Sequence, residues 1–300
     1  MNKKYYAAAV LAFTVWGFFP WVLKSLTDYT AGEILYFRIF FSSILLVLIV
    51  SLVRRGKLMN DLATFKSIPS SEKTKVILLW LAGGLLLTIN WLTFIYTVNQ
   101  VNIRTASFSY LICPVLTAVL GYVVLKERMT LTQWAAVFLC TVSCVLMGLN
   151  SVSELGYSFT TAFTYGLYLV LQRLYKQFDR MTVLGVQILF SFLLLNIFSG
   201  YLIDSVPGIA SFYVIVAAIA AVFTVLPLFL NLYALIGVSS ATVGILMYIN
   251  PIFNFTIAFI VFNERVTALQ LTGYSIIAVA LVIFNYPNFR KLQSLRASQV

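Results

Sequence analysis

The chain has 300 residues, of which 61% are hydrophobic and only 10% charged, with a mean hydropathy of +0.97 and a net charge of +11. Soluble domains carry about a quarter charged residues, so this composition excludes a water-soluble fold. The cations fall in short segments between apolar runs, which makes them topology signals and argues against a nucleic-acid partner.

The first apolar stretch follows Lys3 and Lys4 and continues to Leu23 with no small-residue cleavage site after it, so it is expected to be a retained helix and not a removed leader. Beyond it, apolar runs bounded by charged or turn-forming residues predict ten membrane-spanning helices. They lie near 5–25, 32–53, 76–98, 104–125, 130–149, 156–173, 181–203, 209–235, 239–262 and 267–286. The expected class is all-α integral membrane. The one long polar connection, 54–75, leaves the other connections hairpin-length. If the N terminus is cytoplasmic, sixteen lysines and arginines fall on the cytoplasmic side, whereas Lys24, Arg104 and Arg265 fall on the other. That bias predicts a multi-pass protein with both termini in the cytoplasm.

A repeat runs through the chain. The stretch "PVLTAVLGYVVLKERMT" at 114–130 is matched by "PIFNFTIAFIVFNERVT" at 251–267, so Glu127-Arg128 corresponds to Glu264-Arg265 with an offset of 137. Before the long polar connection the offset is 149, which aligns Lys24 with Arg173 and Arg38 with Gln187. The expected domains are a five-helix repeat at 1–150, a second at 151–290 and a basic tail at 291–300. Because five is odd, the second copy enters the membrane from the opposite face, and inverted repeats characterise secondary transporters. The residues Glu127, Arg128, Glu264 and Arg265 read as structural ion pairs at helix ends, in preference to gating pairs. A carboxylate there is also favoured by the next helix's dipole.

Several stretches carry a resemblance: "EILYFRIFFS" (33–42), "NWLTFIYTVNQ" (90–100), "SYLICPVLTAVLGYVVLKER" (109–128), "VLPLFLNLYAL" (225–235) and "GILMYINPIFNFTIAFIVFNER" (244–265). The chain resembles the RarD group of the EamA family in the drug/metabolite transporter superfamily, from about Tyr5 to Tyr286. The resemblance implies a ten-helix inner-membrane permease, an exporter of small metabolites such as amino acids, with a cavity lined by helices 1, 3, 4, 6, 8 and 9. The second helix reads "LYFR" where that resemblance leads one to expect a histidine before the arginine; the chain contains no histidine.

Every acidic residue lies at a helix end or in a loop, so the usual parts of a proton relay are missing from the midplane. Arg38 is the exception among the ionisable groups, lying within the second helix. Two readings stand: capture of a solute carboxylate, or a structural pair with Glu264 or a helix C-terminus. Pro20, Pro114, Pro227 and Pro251 lie inside apolar spans, where each frees carbonyls and kinks the helix. Around them stand Trp16, Asn90, Trp91, Tyr110, Tyr165, Tyr168, Gln187, Tyr248 and Asn250, which with Arg38 are the candidate substrate-binding residues. For Asn90, Asn250 and Gln187, interhelical hydrogen bonding is an equal alternative. Trp80 and Tyr286 are read as interfacial or lipid-facing.

Cys113, Cys140 and Cys144 form no C-x-x-C pair, and no cofactor or metal is expected. The expected partners are a small-molecule solute and the bilayer, with no nucleic acid. With no phosphate-binding loop, and no membrane-face cluster of acids, histidines or nucleophile, neither an ATPase nor an enzyme is indicated. A non-transporting scaffold, a channel or a lipid-modifying enzyme remain the alternatives to a permease.

Overall fold

A computed structural model describes residues 3–174, 177–237 and 246–297, and every regular element among them is helical. The order is α1 (Lys3–Leu23), α2 (Ala31–Leu48), α3 (Arg55–Ser67), α4 (Ser70–Tyr96), α5 (Ile103–Leu125), α6 (Leu131–Asn150) and α7 (Val152–Leu171). Then follow α8 (Arg180–Ile197), the single turn α9 (Ser199–Leu202), α10 (Ala210–Ala218), α11 (Leu226–Gly237), α12 (Ile249–Thr256) and α13 (Ala268–Ala297). Wider π-type turns extend α2 through Ile49–Val53, α4 through Thr97–Val101, α10 through Ile219–Val225 and α12 through Ile257–Val261.

Eight stretches among the described residues are long and apolar enough to cross a bilayer. Of the ten expected spans, the two outside that set have physical reasons. Helix α7 has the length, 20 residues, but carries Glu154 and many serines, threonines and tyrosines. The span expected at 239–262 is described only from residue 246, and its apolar helix Ile249–Val261 is short. The 54–75 connection is not merely polar: it contains α3, whose Phe65 stacks on Trp80 with ring centres 5.8 Å apart. Trp80 also meets Phe178 edge-on at 5.1 Å, so it holds α3 to the bundle, where the sequence reading set it at the lipid interface. The expected tail at 291–300 is helical as far as Ala297.

The repeated Glu-Arg stretches build the same connector twice. Helix α5 closes on Lys126 in the left-handed region, φ 58°, and Asn263 does the same at φ 50°. The following amides, of Glu127 and Glu264, reach back six residues to the carbonyls of Gly121 (3.3 Å) and Ala258 (3.0 Å), one residue further than in a Schellman cap, and so satisfy terminal carbonyls in both copies. The next helix then opens on a reciprocal cap. Thr130 and Gln133 exchange backbone-to-side-chain bonds at 2.9 and 3.3 Å, and Thr267 and Gln270 at 3.0 and 3.2 Å.

Glu264 accepts from the amides of Ile103 (2.8 Å) and Arg104 (3.1 Å), at the start of α5. Glu127 lies just past the other end of this 23-residue helix, about 34 Å away at 1.5 Å per residue. The matching motifs therefore sit at opposite ends of one helix, and the two halves run in opposite senses. Packing follows the same symmetry. Helix α5 lies on α7 as α12 lies on α1, and α4 on α7 as α11 on α1, while α2 with α8, α6 with α13 and α5 with α12 pair each element with its own counterpart. The outer surface stays apolar, with Phe138, Val214 and Ile260 each more than two-thirds exposed, as lipid-facing residues require.

Candidate functional site

A cavity of about 690 Å³, its mouth included, lies on the seam between the halves. Five repeat-related pairs line it from both sides: Trp16 with Tyr165, Phe19 with Tyr168, Leu87 with Thr224, Trp91 with Leu228, and Tyr110 with Met247. The site thus straddles the pseudo-two-fold axis.

The four prolines explain much of its polarity. A proline has no N–H for the carbonyl four residues earlier. For Pro20, Pro114, Pro227 and Pro251 those earlier residues are Trp16, Tyr110, Phe223 and Met247, all of which line the cavity. Two of these carbonyls are taken inside the bundle: the Trp16 indole N–H donates to Phe223 O at 3.0 Å, and the Asn250 backbone amide to Met247 O at 3.2 Å. Pro114 interrupts the middle of α5, Pro20 lies in the last turn of α1, Pro227 lies where the wide turn Ile219–Val225 runs into α11, and Pro251 stands in the first turn of α12, where a missing N–H costs little.

Arg38 is 2% exposed yet lines the cavity. Its Nε donates to Thr224 Oγ1 at 2.9 Å, and its guanidinium carbon lies 4.7 Å from the ring centres of both Phe19 and Trp91. Desolvated cation–π contacts contribute roughly 2 kcal/mol each, which offsets part of the several kcal/mol that burying a charge costs. Arg38 Nη1 is buried with no hydrogen-bond partner. The structural pair with Glu264 does not form: Glu264 meets Arg104 Nε at 3.2 Å instead.

Of the ten candidate residues, Trp16, Arg38, Asn90, Trp91, Tyr110, Tyr165, Tyr168 and Asn250 line the cavity. Asn90 also donates to Thr161 O at 2.7 Å and so ties α4 to α7 while facing the space, whereas Asn250 accepts from Asn254 at 2.9 Å within its own helix. Tyr110, Tyr165 and Tyr168 form a chain of rings with centres 6.3 and 6.1 Å apart. Gln187 and Tyr248 lie outside. Gln187 packs across Gly83 and Gly84 of α4 and accepts from Gln172 at 3.0 Å, while Tyr248 packs against the cluster of α5, α6 and α13. The expected lining by helices 1, 3, 4, 6, 8 and 9 is supplemented by the second helix through Arg38 and the seventh through Leu184.

The ion pairs differ from the sequence reading. Glu127 pairs with Arg173 at 3.0 Å and Glu264 with Arg104, so Arg128 and Arg265 form none of the ion pairs among the described residues. Neighbours in sequence point apart after a left-handed turn, and each glutamate reaches a cation from another helix. Sequence reasoning also missed Phe13, Phe19, Phe94, Phe223 and Thr224. The signal for Phe223 was its place four residues before a proline.

Apolar helices of bilayer-crossing length, arranged as two antiparallel repeats around an aromatic cavity, define a multi-pass membrane protein of the transporter class. The sequence pattern of the EamA-like transporter family matches twice, over residues 3–149 and 153–286. An uncharacterized transporter of Vibrio cholerae is 30% identical over 99% of this chain and 97% of its own length. Transporter YojE of Bacillus subtilis is 28% identical over 95% and 94%, and Protein RarD of Escherichia coli 29% identical over 92% of each. A solved crystal structure shares the fold with a TM-score of 0.61 at 14% identity, covering 94% of this chain and 96% of its own. The chain belongs to the EamA-like transporter family, as a RarD-like member.

Proposed function

We propose that the protein is a secondary permease for small amphipathic metabolites that works by alternating access through the central cavity. The observation that carries this reading is the pairing of the lining residues across the seam. Rocking two antiparallel halves about an axis exchanges the open end and leaves a site on that axis in place. The rings of Trp16, Trp91, Tyr110 and Tyr165 with the amides of Asn90 and Asn250 suit a small solute with a few polar groups. The basic segments orient both termini toward the cytoplasm of the cell membrane. Net direction follows the solute gradient, which for a metabolite made inside the cell is outward, in keeping with the resemblance to exporters.

Counterflow in proteoliposomes tests this. Vesicles preloaded with unlabelled solute are expected to accumulate labelled solute transiently and saturably. Flux that rises linearly with concentration would identify a channel, and no flux for any solute in a broad metabolite panel would leave a scaffold.

A further inference from the structure

Resting on that reading, we infer that the cavity selects organic monocarboxylates of net charge −1 with an aromatic or apolar body, and rejects zwitterions of the same shape. Among the described residues Arg38 is the single charged side chain that lines the cavity, and the lining includes no acidic residue. The closest to an anion that the protein offers the guanidinium is the hydroxyl of Thr224 and the faces of Phe19 and Trp91. One of the five N–H donors is used by Thr224, and Nη1 is buried without a partner. A carboxylate is the group whose geometry matches this fork, and one carboxylate neutralises one guanidinium. A phosphate dianion would bring a second negative charge into an apolar space with nothing to balance it.

The rest of the lining decides against an accompanying ammonium. Trp16, Tyr110 and Tyr165 present rings, and Pro20 and Pro114 remove the usual helical donors to the carbonyls of Trp16 and Tyr110, which suits neutral donors such as a hydroxyl. An ammonium would restore the net positive charge that the carboxylate removed, with no acidic side chain beside it. A hydroxy acid therefore fits where the amino acid of the same size does not.

The test uses four solutes with one body: 3-phenyllactate, phenylalanine, phenylacetate and phenylethylamine. Binding to the full chain in nanodiscs is read from the fluorescence of Trp91 and Trp16. Phenyllactate and phenylacetate are expected to bind at least about tenfold more tightly than phenylalanine, with phenylethylamine weakest. Arg38→Gln is expected to erase that preference with only a small change in thermal midpoint, and Arg38→Lys to keep its order. Phenylalanine binding as well as phenyllactate, retention of the preference in Arg38→Gln, or binding of none of the four would overturn the inference. Counterflow of the same solutes separates the two readings: saturable flux indifferent to solute charge sinks the anion selectivity and leaves the permease standing.

Discussion

Lys126 and Asn263 close their helices in the same left-handed turn, and Thr130 and Thr267 open the next ones with the same reciprocal cap, yet the repeat-related positions Arg38 and Gln187 do opposite things. Arg38 faces the cavity between two rings, while Gln187 is pressed into the Gly83-Gly84 face of α4. A connector is made of short-range backbone bonds, so two copies of the sequence make it twice. A side chain in the seam answers to whatever the other half places opposite it. The positions matching Gly83 and Gly84 are Ala220 and Ala221, which carry the Cβ atoms that the glycines lack. The scaffold is thus shared between the halves, and the chemistry is not.

The largest effect should come from forcing the two seam positions to be alike. Gln187→Arg places a longer, charged side chain where Gly83 and Gly84 already meet Gln187, and a loss of about 3 kcal/mol or more is expected in denaturant unfolding, or failure to fold. The reciprocal change, Arg38→Gln, removes a buried charge that lacks a full set of partners and should shift stability by no more than about 1 kcal/mol. Comparable losses for both would show that Arg38 is as structural as Gln187.

The next largest contrast lies between the two matched glutamates. Glu264 is anchored by two amides of α5 and by Arg104, with its side chain 13% exposed, so Glu264→Gln should cost about 2 kcal/mol. Glu127 and Arg173 are 45% and 46% exposed, and Glu127→Gln should cost about 0.2–1 kcal/mol, less at high salt. Position 241, which matches Arg104, is Ala, and the cation that Glu127 meets is the more exposed Arg173. Equal costs at the two glutamates would mean that the local pairing does not set their contributions.

The smallest effect belongs to the connectors. Lys126→Gly removes a Cβ from the left-handed region and should stabilise by about 0.5–1 kcal/mol, whereas Asn263→Gly should gain less, because asparagine tolerates that region better. Thermal midpoints of the two variants, measured side by side, check the order.

The scaffold was largely legible in the sequence, for reasons these residues make plain. Helix spans follow from apolar run length, the repeat from Pro114 and Pro251 with their Glu-Arg endings, and the inversion from the odd number of predicted crossings. Most of the candidate polar and aromatic residues do line the cavity, since a polar group in a membrane helix has few other places to go. Gln187 was indistinguishable from Arg38 by position, because the glycine pair that receives it lies on another helix. Tyr248 fell on the far side of its helix for the same reason. Phe13, Phe19 and Leu87 could not be told from lipid-facing residues, since an apolar wall and an apolar exterior draw on the same side chains. Helix α7 was placed as a span, but its polar composition blurs the length criterion that served elsewhere.

The central claim is that the seam cavity opens in turn to each face of the membrane. It is tested most directly by Leu228→Cys, a lining position, in a background with Cys113, Cys140 and Cys144 replaced. A membrane-impermeant thiol reagent should modify Cys at this position when added from either side of sealed, oriented vesicles, and saturating phenyllactate should slow both reactions. Modification from one side only, whatever solute is present, would contradict the account.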